Sequence, residues 1–378
     1  MSPVHAEDYA VAQTYIHSFS NNISVYTGVF ALNKDVSLNT TAYVKYTVDM
    51  INPNFFSEGG GGGEGAGKRR ADTGLVAISG ASTAAGGSSA ASDTRNNLTA
   101  ALTHNFDNIV TIEAGYDYSA EKDYISSTPG ITLKKDLFQK NTTVTLGYSK
   151  NMDSVNGKFM ASTEKKNTNN YYIGLTQIIS QKTVAQIGYS KSEITGFMGE
   201  GNRLVPVDGA AASSCTDATI INCEREKLPG TRSREAYLFG INQYFLHGIL
   251  YYPAPSSLRL TLRQYKDSWD VTSYTEEAEY YQYLPDQNLL KLDFRTYQQT
   301  KAYFVKSAYI STDTFLTASP QLEKQNTYLL GIKLTHTLED DPDYGIFAKS
   351  LLEGGYEFYT QSTNVSAHNF TVGVKFLF

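Results

Sequence analysis

Apolar and polar residues alternate along much of the chain in segments of roughly 9 to 11 residues, the length that a tilted strand needs to cross a bilayer. Ile112 lies on one face of the segment 109–118, and its neighbour Glu113 lies on the other. The same alternation recurs in residues 142–149, 289–296 and 327–335. A period of two predicts β-strands that have one apolar and one polar face.

Sixteen segments carry this pattern, and helical periodicity is poor between them, although residues 305–325 and 338–350 leave room for a short helix in a loop. The segments begin near Tyr9, Ser24, Thr41, Arg95, Ile109, Thr128, Thr142, Asn170, Thr183, Glu235, Ser257, Ser273, Leu289, Thr327, Leu352 and Asn369. Single-chain membrane barrels have an even number of strands. We therefore predict an all-β fold, a transmembrane antiparallel up-and-down β-barrel of about 14 to 16 strands with long extracellular loops.

A soluble β-sandwich or barrel would show the same alternation with the faces reversed. Three features favour the membrane. Tyrosines cluster at predicted strand ends, as in an aromatic girdle; the clusters are Tyr116 and Tyr118, Tyr171 and Tyr172, Tyr251 and Tyr252, and Tyr280, Tyr281 and Tyr283. Short turns such as Asp107–Asn108 and Gln181–Lys182 alternate with very long polar loops. The chain also ends on an alternating apolar strand, in which Phe376 and Phe378 are predicted to act as an assembly signal.

The predicted domain organisation is a single barrel over residues 9–378, preceded by residues 1–8, a tail or the remnant of an export leader. A long Gly/Ser-rich loop is predicted over 52–94, and a second long loop over 195–232. The second loop contains Cys215 and Cys223. Their close spacing favours a disulfide in an exported protein, and a metal pair or two free thiols are the alternatives.

Charged residues fall on the polar face of the predicted strands, where only water would tolerate them in a membrane protein. The predicted pore-lining residues are Glu113, Asp117, Arg259, Arg263, Lys291, Asp293, Arg295, Lys333 and Lys375, with Lys45 and Asp49 on the same face. Two interpretations remain open. The charges either pair along the barrel wall or line a water-filled path for polar solutes.

Composition and motifs exclude several other classes of function. The net charge is −6 and basic residues are scattered, which argues against a nucleic-acid partner. The six histidines are dispersed, and no HExxH or GxSxG motif is present. The Gly-rich stretch 58–68 lacks the GxxxxGK[ST] pattern of a phosphate-binding loop. We predict neither an enzyme nor a bound cofactor or metal.

Several strings resemble a known family. They are Ser79–Ser82 with Asp93–Arg95, Leu228–Ala236, and the string with Tyr265, Asp267, Trp269, Val271, Ser273 and Thr275 at every second position. These resemble the uncharacterised DUF3570 family of bacterial outer-membrane β-barrels, and the resemblance spans most of the chain. It implies no established activity and a weak link to redox chemistry at the cell envelope. Within the last string, Trp269 is expected at a membrane interface, and a structural corner is favoured over a binding site.

Two functions from different classes follow. The first is a porin-like channel or transporter for small polar or ionic solutes in the bacterial outer membrane. The second is a barrel that serves as a sheath or docking platform for an exported redox protein or lipoprotein. The predicted partners are outer-membrane lipid and lipopolysaccharide, the outer-membrane insertion machinery and, in the second case, that exported protein. An integral-membrane hydrolase has the least support.

Overall fold

A computed structural model describes residues 8–20, 24–52, 93–106, 109–212, 215, 220–252, 254–338, 345, 347–362 and 365–378. The predicted turn 107–108, residues 53–92 of the predicted Gly/Ser-rich loop and residues 1–7 of the predicted tail lie outside these residues. Within them, no helix is long and apolar enough to cross a membrane.

Sixteen long strands form one closed antiparallel barrel, which confirms the predicted fold class. In chain order the strands are β1 (Tyr9–Phe19), β2 (Ser24–Ser37), β3 (Thr40–Asn52), β4 (Asp93–Phe106), β5 (Val110–Ala120), β6 (Tyr124–Leu137), β7 (Thr142–Val155), β8 (Glu164–Ser180), β9 (Thr183–Gly196), β10 (Leu204–Pro206), β11 (Cys223–Arg225), β12 (Thr231–Phe245), β13 (Ser256–Asp267), β14 (Thr272–Leu284), β15 (Asn288–Gln299), β16 (Gln325–Thr337), β17 (Leu351–Gln361) and β18 (Val365–Leu377). The short strands β10 and β11 pair only with each other, outside the barrel wall.

The barrel closes where the first strand pairs with the last. β1 and β18 run antiparallel, with Tyr9 opposite Leu377 and Phe19 opposite Ala367. Tyr9 and Leu377 therefore lie at one end of the barrel, which we call the terminal end, and the opposite end is the far end. Closure leaves no unpaired strand edge, which is a requirement for strands that cross a bilayer.

The barrel is polar inside and apolar outside. Inward-facing Thr132, Asn151 and Ser273 are almost fully buried. The outward-facing Leu330 and Val372 are 58% and 68% exposed. A soluble barrel would place the apolar side chains inside, so this arrangement is the one expected of a wall that faces lipid.

Outward-facing aromatic residues gather toward both ends of the strands. Toward the far end they are Tyr26, Tyr116, Tyr118, Tyr171, Tyr274 and Tyr328, and toward the terminal end Phe106, Phe138, Phe245, Tyr283 and Phe378. The predicted clusters are only partly correct, because neighbours on a strand point to opposite faces. Tyr172 points inward against Gly174 and Gly188, and Tyr281 points inward toward Lys291.

Several strands begin earlier than predicted, at the far end of the barrel. β8 begins at Glu164 instead of Asn170, β12 at Thr231 instead of Glu235, and β18 at Val365 instead of Asn369. The strand ladders continue beyond the apolar belt, where outward-facing residues are polar and the alternation disappears. In the described part of residues 305–325, the helical turn is a single 3-10 turn at Pro320–Leu322.

Candidate functional site in the barrel lumen

Strand alternation places every predicted pore-lining residue on the inward face. Their strand neighbours on the outer face are mostly apolar, as Leu260 and Leu262 are beside Arg259 and Arg263 on β13. The inward set is Glu113, Asp117, Arg259, Arg263, Lys291, Asp293, Arg295, Lys333 and Lys375, together with Lys45 and Asp49. Inward position does not by itself make a residue part of a solute path, so the contacts of each group matter.

Most of these charges have a partner on the wall. The ammonium of Lys333 lies 2.8 Å from the Glu353 carboxylate, and Lys291 forms an ion pair with Glu279. Arg259 lies 3.8 Å from Glu279 as well. The other predicted residues make these contacts: Lys134 pairs with Glu113, Asn97 and Thr99 donate to Asp117, and Lys375 lies over the ring of Tyr9. Several of these charges are thus paired along the wall, and the role of the set in lining a solute path stays a prediction.

Three carboxylates come together on β14 and β15. Oxygen atoms of Glu277, Glu279 and Asp293 lie within 4.8 Å of one another. Lys291 bonds to Glu279 and lies 3.9 Å from Asp293, so it offsets part of this negative charge. The group forms an acidic zone on this part of the lumen wall.

Arginines line the wall between this acidic zone and the far end. Arg234, Arg263 and Arg295 line a single cavity of about 380 Å³, together with Arg232. The wall of the cavity is formed by β9 and β12 to β17, and Gln321 and Leu322 line it from the β15–β16 loop. Arg263 and Arg295 are among the predicted pore-lining residues. Sequence reasoning missed Arg234, because its outward-facing neighbours Ser233 and Glu235 are polar and give no strand signal.

Arg232 is held in a corner where β12 meets the β13–β14 turn. Its Nε donates to Asp267 Oδ2 at 2.8 Å, and its guanidinium lies 4.2 Å from the centre of the Trp269 ring. Trp269 is only 3% exposed, and its Nε1 donates to the carbonyl of Thr231. The expected position of Trp269 at a membrane interface is therefore wrong, since the indole is packed inside this corner.

The corner is covered by two loop segments, residues 197–230 and 300–324, which we call the cap. Backbone hydrogen bonds join them, including those between Lys227 and Leu316 in both directions. Two apolar clusters hold the cap together. One contains Val205, Val207, Tyr309 and Leu316, and the other packs Ala302, Phe304, Val305 and Leu322 on Trp269 and Val271.

The cap also reaches the opposite part of the rim. Asn202 donates to Asp123 in the β5–β6 turn at 2.5 Å, and Phe159 N in the β7–β8 loop donates to the carbonyl of Gly201 at 3.1 Å. The described cap thus contacts the rim at positions from the β5–β6 turn to the β15–β16 loop.

A buried ionic cluster lies within the cap. Arg203 Nη2 is 2.8 Å from Glu200 Oε2, and Arg203 Nη1 is 3.4 Å from Glu226 Oε1. Glu226 also accepts a hydrogen bond from Thr317 at 2.5 Å, which joins the two cap segments. Burial raises the pKa of Glu200 to about 7, with Arg203 opposing the shift and Glu226 adding to it.

Cys215 and Cys223 form a disulfide in the first cap segment, with their Cα atoms 5.4 Å apart. The bond fixes the start of β11 to the chain eight residues earlier. Among the described residues there is no free cysteine.

The predicted assembly signal lies at the terminal end. Phe376 contacts the ring of Phe347 at 5.6 Å between centroids, and Phe378 is 62% exposed. The backbone of Phe378 donates to the carbonyl of Asp8, which holds the last residue against the first described one. A role for these phenylalanines in insertion stays a prediction.

A family model described as a protein of unknown function, DUF3570, matches residues 2–162 and 154–374. The chain belongs to the DUF3570 family. This confirms the resemblance inferred from the sequence strings, which the structure places partly in the corner around Asp267. None of the curated proteins matches the chain.

Solved structures with a similar fold are outer-membrane β-barrels. CdiB from Acinetobacter baumannii is 7% identical with a TM-score of 0.55, and the match covers 98% of this chain and 60% of that one. A bacterial polysaccharide outer membrane secretin is 7% identical with a TM-score of 0.48, covering 99% of both chains. OccD3 from Pseudomonas aeruginosa is 8% identical with a TM-score of 0.45, covering 98% and 91%. At such low identity the likeness concerns the fold alone, so the function of this DUF3570 protein has to be argued from its own lumen.

Proposed function

We propose that this DUF3570 protein is a porin-like channel of the bacterial outer membrane that passes small polar or ionic solutes through its lumen. The observation that carries the proposal is the contrast between an apolar outer wall and a charged inner wall in a closed sixteen-stranded barrel. Barrels of this size enclose water when side chains and loops do not fill them.

The charges of the inner wall support a hydrated lumen. Burial of an isolated charge away from water costs several kcal/mol, so charged side chains inside a membrane barrel are expected to face water or a partner. Lys291 and Lys333 have acidic partners, whereas Arg263 and Arg295 line the cavity of about 380 Å³. An aqueous path past these groups would be sensitive to their charge.

Conductance in planar lipid bilayers tests the proposal. The purified, folded barrel is expected to give discrete ion conductance, and Arg263→Gln is expected to shift the reversal potential in a salt gradient toward cation preference. Lys266→Gln is the matched control. It removes one positive charge from the same strand, but Lys266 faces outward and pairs with Glu235 at 3.3 Å.

A folded barrel that leaves the bilayer electrically sealed would contradict a channel. That result would favour the second function inferred from the sequence, a docking platform for an exported redox protein or lipoprotein, which needs no open path. Equal shifts for Arg263→Gln and Lys266→Gln would also count against the proposal, because ions in the lumen should respond far more strongly to the inward charge.

A further inference from the structure

We propose that Arg234, Arg263 and Arg295 form a binding site for small organic anions with a carboxylate or phosphate group, inside the lumen beneath the cap. This inference names the solute class of the proposed channel and rests on that function for its physiological role. The binding itself is measurable whether or not the barrel conducts.

The three arginines differ from the paired cations on the same part of the lumen wall in having no acidic partner. Among the residues that the structure describes, Arg234, Arg263 and Arg295 have no carboxylate oxygen within the 4.0 Å of an ion pair. By contrast, Lys291, Lys333 and Arg259 on the same wall are all paired. Cations on this part of the lumen wall are thus usually paired with a carboxylate, and Arg234, Arg263 and Arg295 in the cavity are not.

The nearest acidic group in the strand register does not neutralise this cluster. Glu277 is opposite Arg295 in the β14–β15 pair, but its carboxylate groups with those of Glu279 and Asp293. Among the described residues that line the cavity, Glu235 alone is acidic, and its carboxylate pairs with Lys266 on the outer face. Arg232, the fourth arginine of the lining, is already paired with Asp267. Positive charge in the cavity therefore has no fixed counter-charge there.

Arg234 supplies a second and independent observation. Its Nε is buried and makes no hydrogen bond within the described structure. A buried donor without an acceptor is unfavourable, and the cost is larger for a charged group. An anion in the cavity would provide both the missing acceptor and the missing negative charge.

The lining of the cavity suits an anionic group on a small organic molecule. Guanidinium groups present several N–H donors in a plane and bind carboxylate and phosphate oxygens in pairs. Hydroxyl groups of Ser190 and Ser273 add further donors, and Tyr265, Tyr297 and Tyr359 offer ring faces to a carbon skeleton. The volume of about 380 Å³ suits a molecule of the size of a small metabolite.

Isothermal titration of the purified barrel in detergent micelles at low salt tests the inference with two probes, succinate and inorganic phosphate. We expect saturable binding of at least one probe. The double substitution Arg263→Gln with Arg295→Gln, and Arg234→Gln alone, are each expected to weaken binding by about ten- to hundred-fold, the effect of losing a charged hydrogen bond.

Arg259→Gln is the matched control, since Arg259 lies on the same face of β13 as Arg263 but is paired with Glu279. Its affinity for the probe should stay within about two-fold of the wild type, because a guanidinium already engaged by a carboxylate adds little to an anion site. Each variant is first shown to be folded by its circular dichroism and by its heat-modifiable migration on gels.

Binding of neither probe to the folded wild-type barrel would overturn the inference, as would equal losses for Arg259→Gln and Arg263→Gln. Binding of succinate alone assigns carboxylates as the ligand, and binding of phosphate alone assigns phosphate esters. Saturable binding in a barrel that never conducts supports the anion site and contradicts the channel. Conductance with no binding contradicts the site and supports the channel.

Discussion

Asp267 is the residue on which the corner beside the arginine cavity depends. Its Oδ1 accepts the backbone N–H groups of Trp269 and Val271 at 2.9 and 3.0 Å. Its Oδ2 accepts the hydroxyl of Tyr265 at 2.7 Å and the Nε of Arg232 at 2.8 Å. The Asp267 side chain is 0% exposed, so none of these bonds can be replaced by water without opening the corner.

We predict that Asp267→Asn destabilises the protein by roughly 3–5 kcal/mol, because it leaves the Arg232 guanidinium without its buried counter-charge. Urea unfolding of the barrel in lipid vesicles measures the free energy. Asp270→Asn in the same turn is the control: Asp270 is exposed, and asparagine tolerates its φ of 64°. Equal effects of the two substitutions would show that the bonds to Asp267 are not the cause.

For a single residue of the wall, the sequence predicts which way the side chain faces but not whether its charge is neutralised. Arg259 and Arg263 lie on one face of β13, and their alternation with leucines is enough to place both inward. Arg259 is paired because the register puts Glu279 opposite it, whereas Thr275 lies opposite Arg263. Register depends on contacts between distant parts of the chain, so this difference could not be derived from β13 alone.

Among the elements, the cap was the least predictable. Residues 195–232 were predicted as a loop, yet residues 204–206 and 223–225 within it form strands β10 and β11. Three residues are too few to show a periodicity. The junction between the cap segments also needs residues far apart in sequence, such as Val207 and Tyr309, which form a bridge.

The strands of the wall were predictable wherever their outer face meets the apolar belt. The start of β6 is an exception. It begins at Tyr124, earlier than the predicted Thr128, and the ladder to β7 has no paired positions at Thr128 and Pro129. Proline has no N–H to donate, so it weakens both the ladder and the strand signal in the sequence.

Glu200 makes the stability of the cap dependent on pH. Its pKa in the folded cap is about 7, above the ordinary value of 4.5, so the folded cap retains a proton that the opened cap releases. The stabilisation is fully present below pH 4.5 and is lost as the pH rises through about 7. The side chain is 17% exposed, and the effect should be of the order of 1–3 kcal/mol.

We therefore predict that the wild-type cap opens more easily at pH 8 than at pH 5, and that Glu200→Gln removes most of this difference. Amide hydrogen exchange of residues 197–212, compared between the two proteins at matched pH so that intrinsic rates cancel, gives the opening free energy. Glu224→Gln is the control, since Glu224 pairs with Lys227 at the cap surface. A cap whose pH dependence survives Glu200→Gln would refute this account.

For the whole molecule, the alternation of apolar and polar residues fits two kinds of barrel, one with an apolar interior in water and one with an apolar exterior in lipid. The solvent around the wall decides which of the two is stable. The structure has buried polar groups inside and exposed apolar groups outside, so a lipid environment is the one in which it is stable. The last strand, β18, shows the same arrangement, with the polar Thr371 facing inward and the apolar Val372 facing outward at neighbouring positions. These two residues allow the polarity to be tested directly.

We predict that Val372→Lys lowers the free energy of unfolding in lipid vesicles by about 2–4 kcal/mol, the cost of a lysine on the lipid face near the middle of a barrel strand. Thr371→Lys should cost less than about 1 kcal/mol, because the ammonium enters a polar lumen. Its strand neighbour Gly355 leaves room, and Glu353 and Glu357 flank that glycine on the same face of β17. If Thr371→Lys cost more than Val372→Lys, water and not lipid would surround the barrel wall. That result would contradict a membrane-spanning barrel and, with it, the proposed channel.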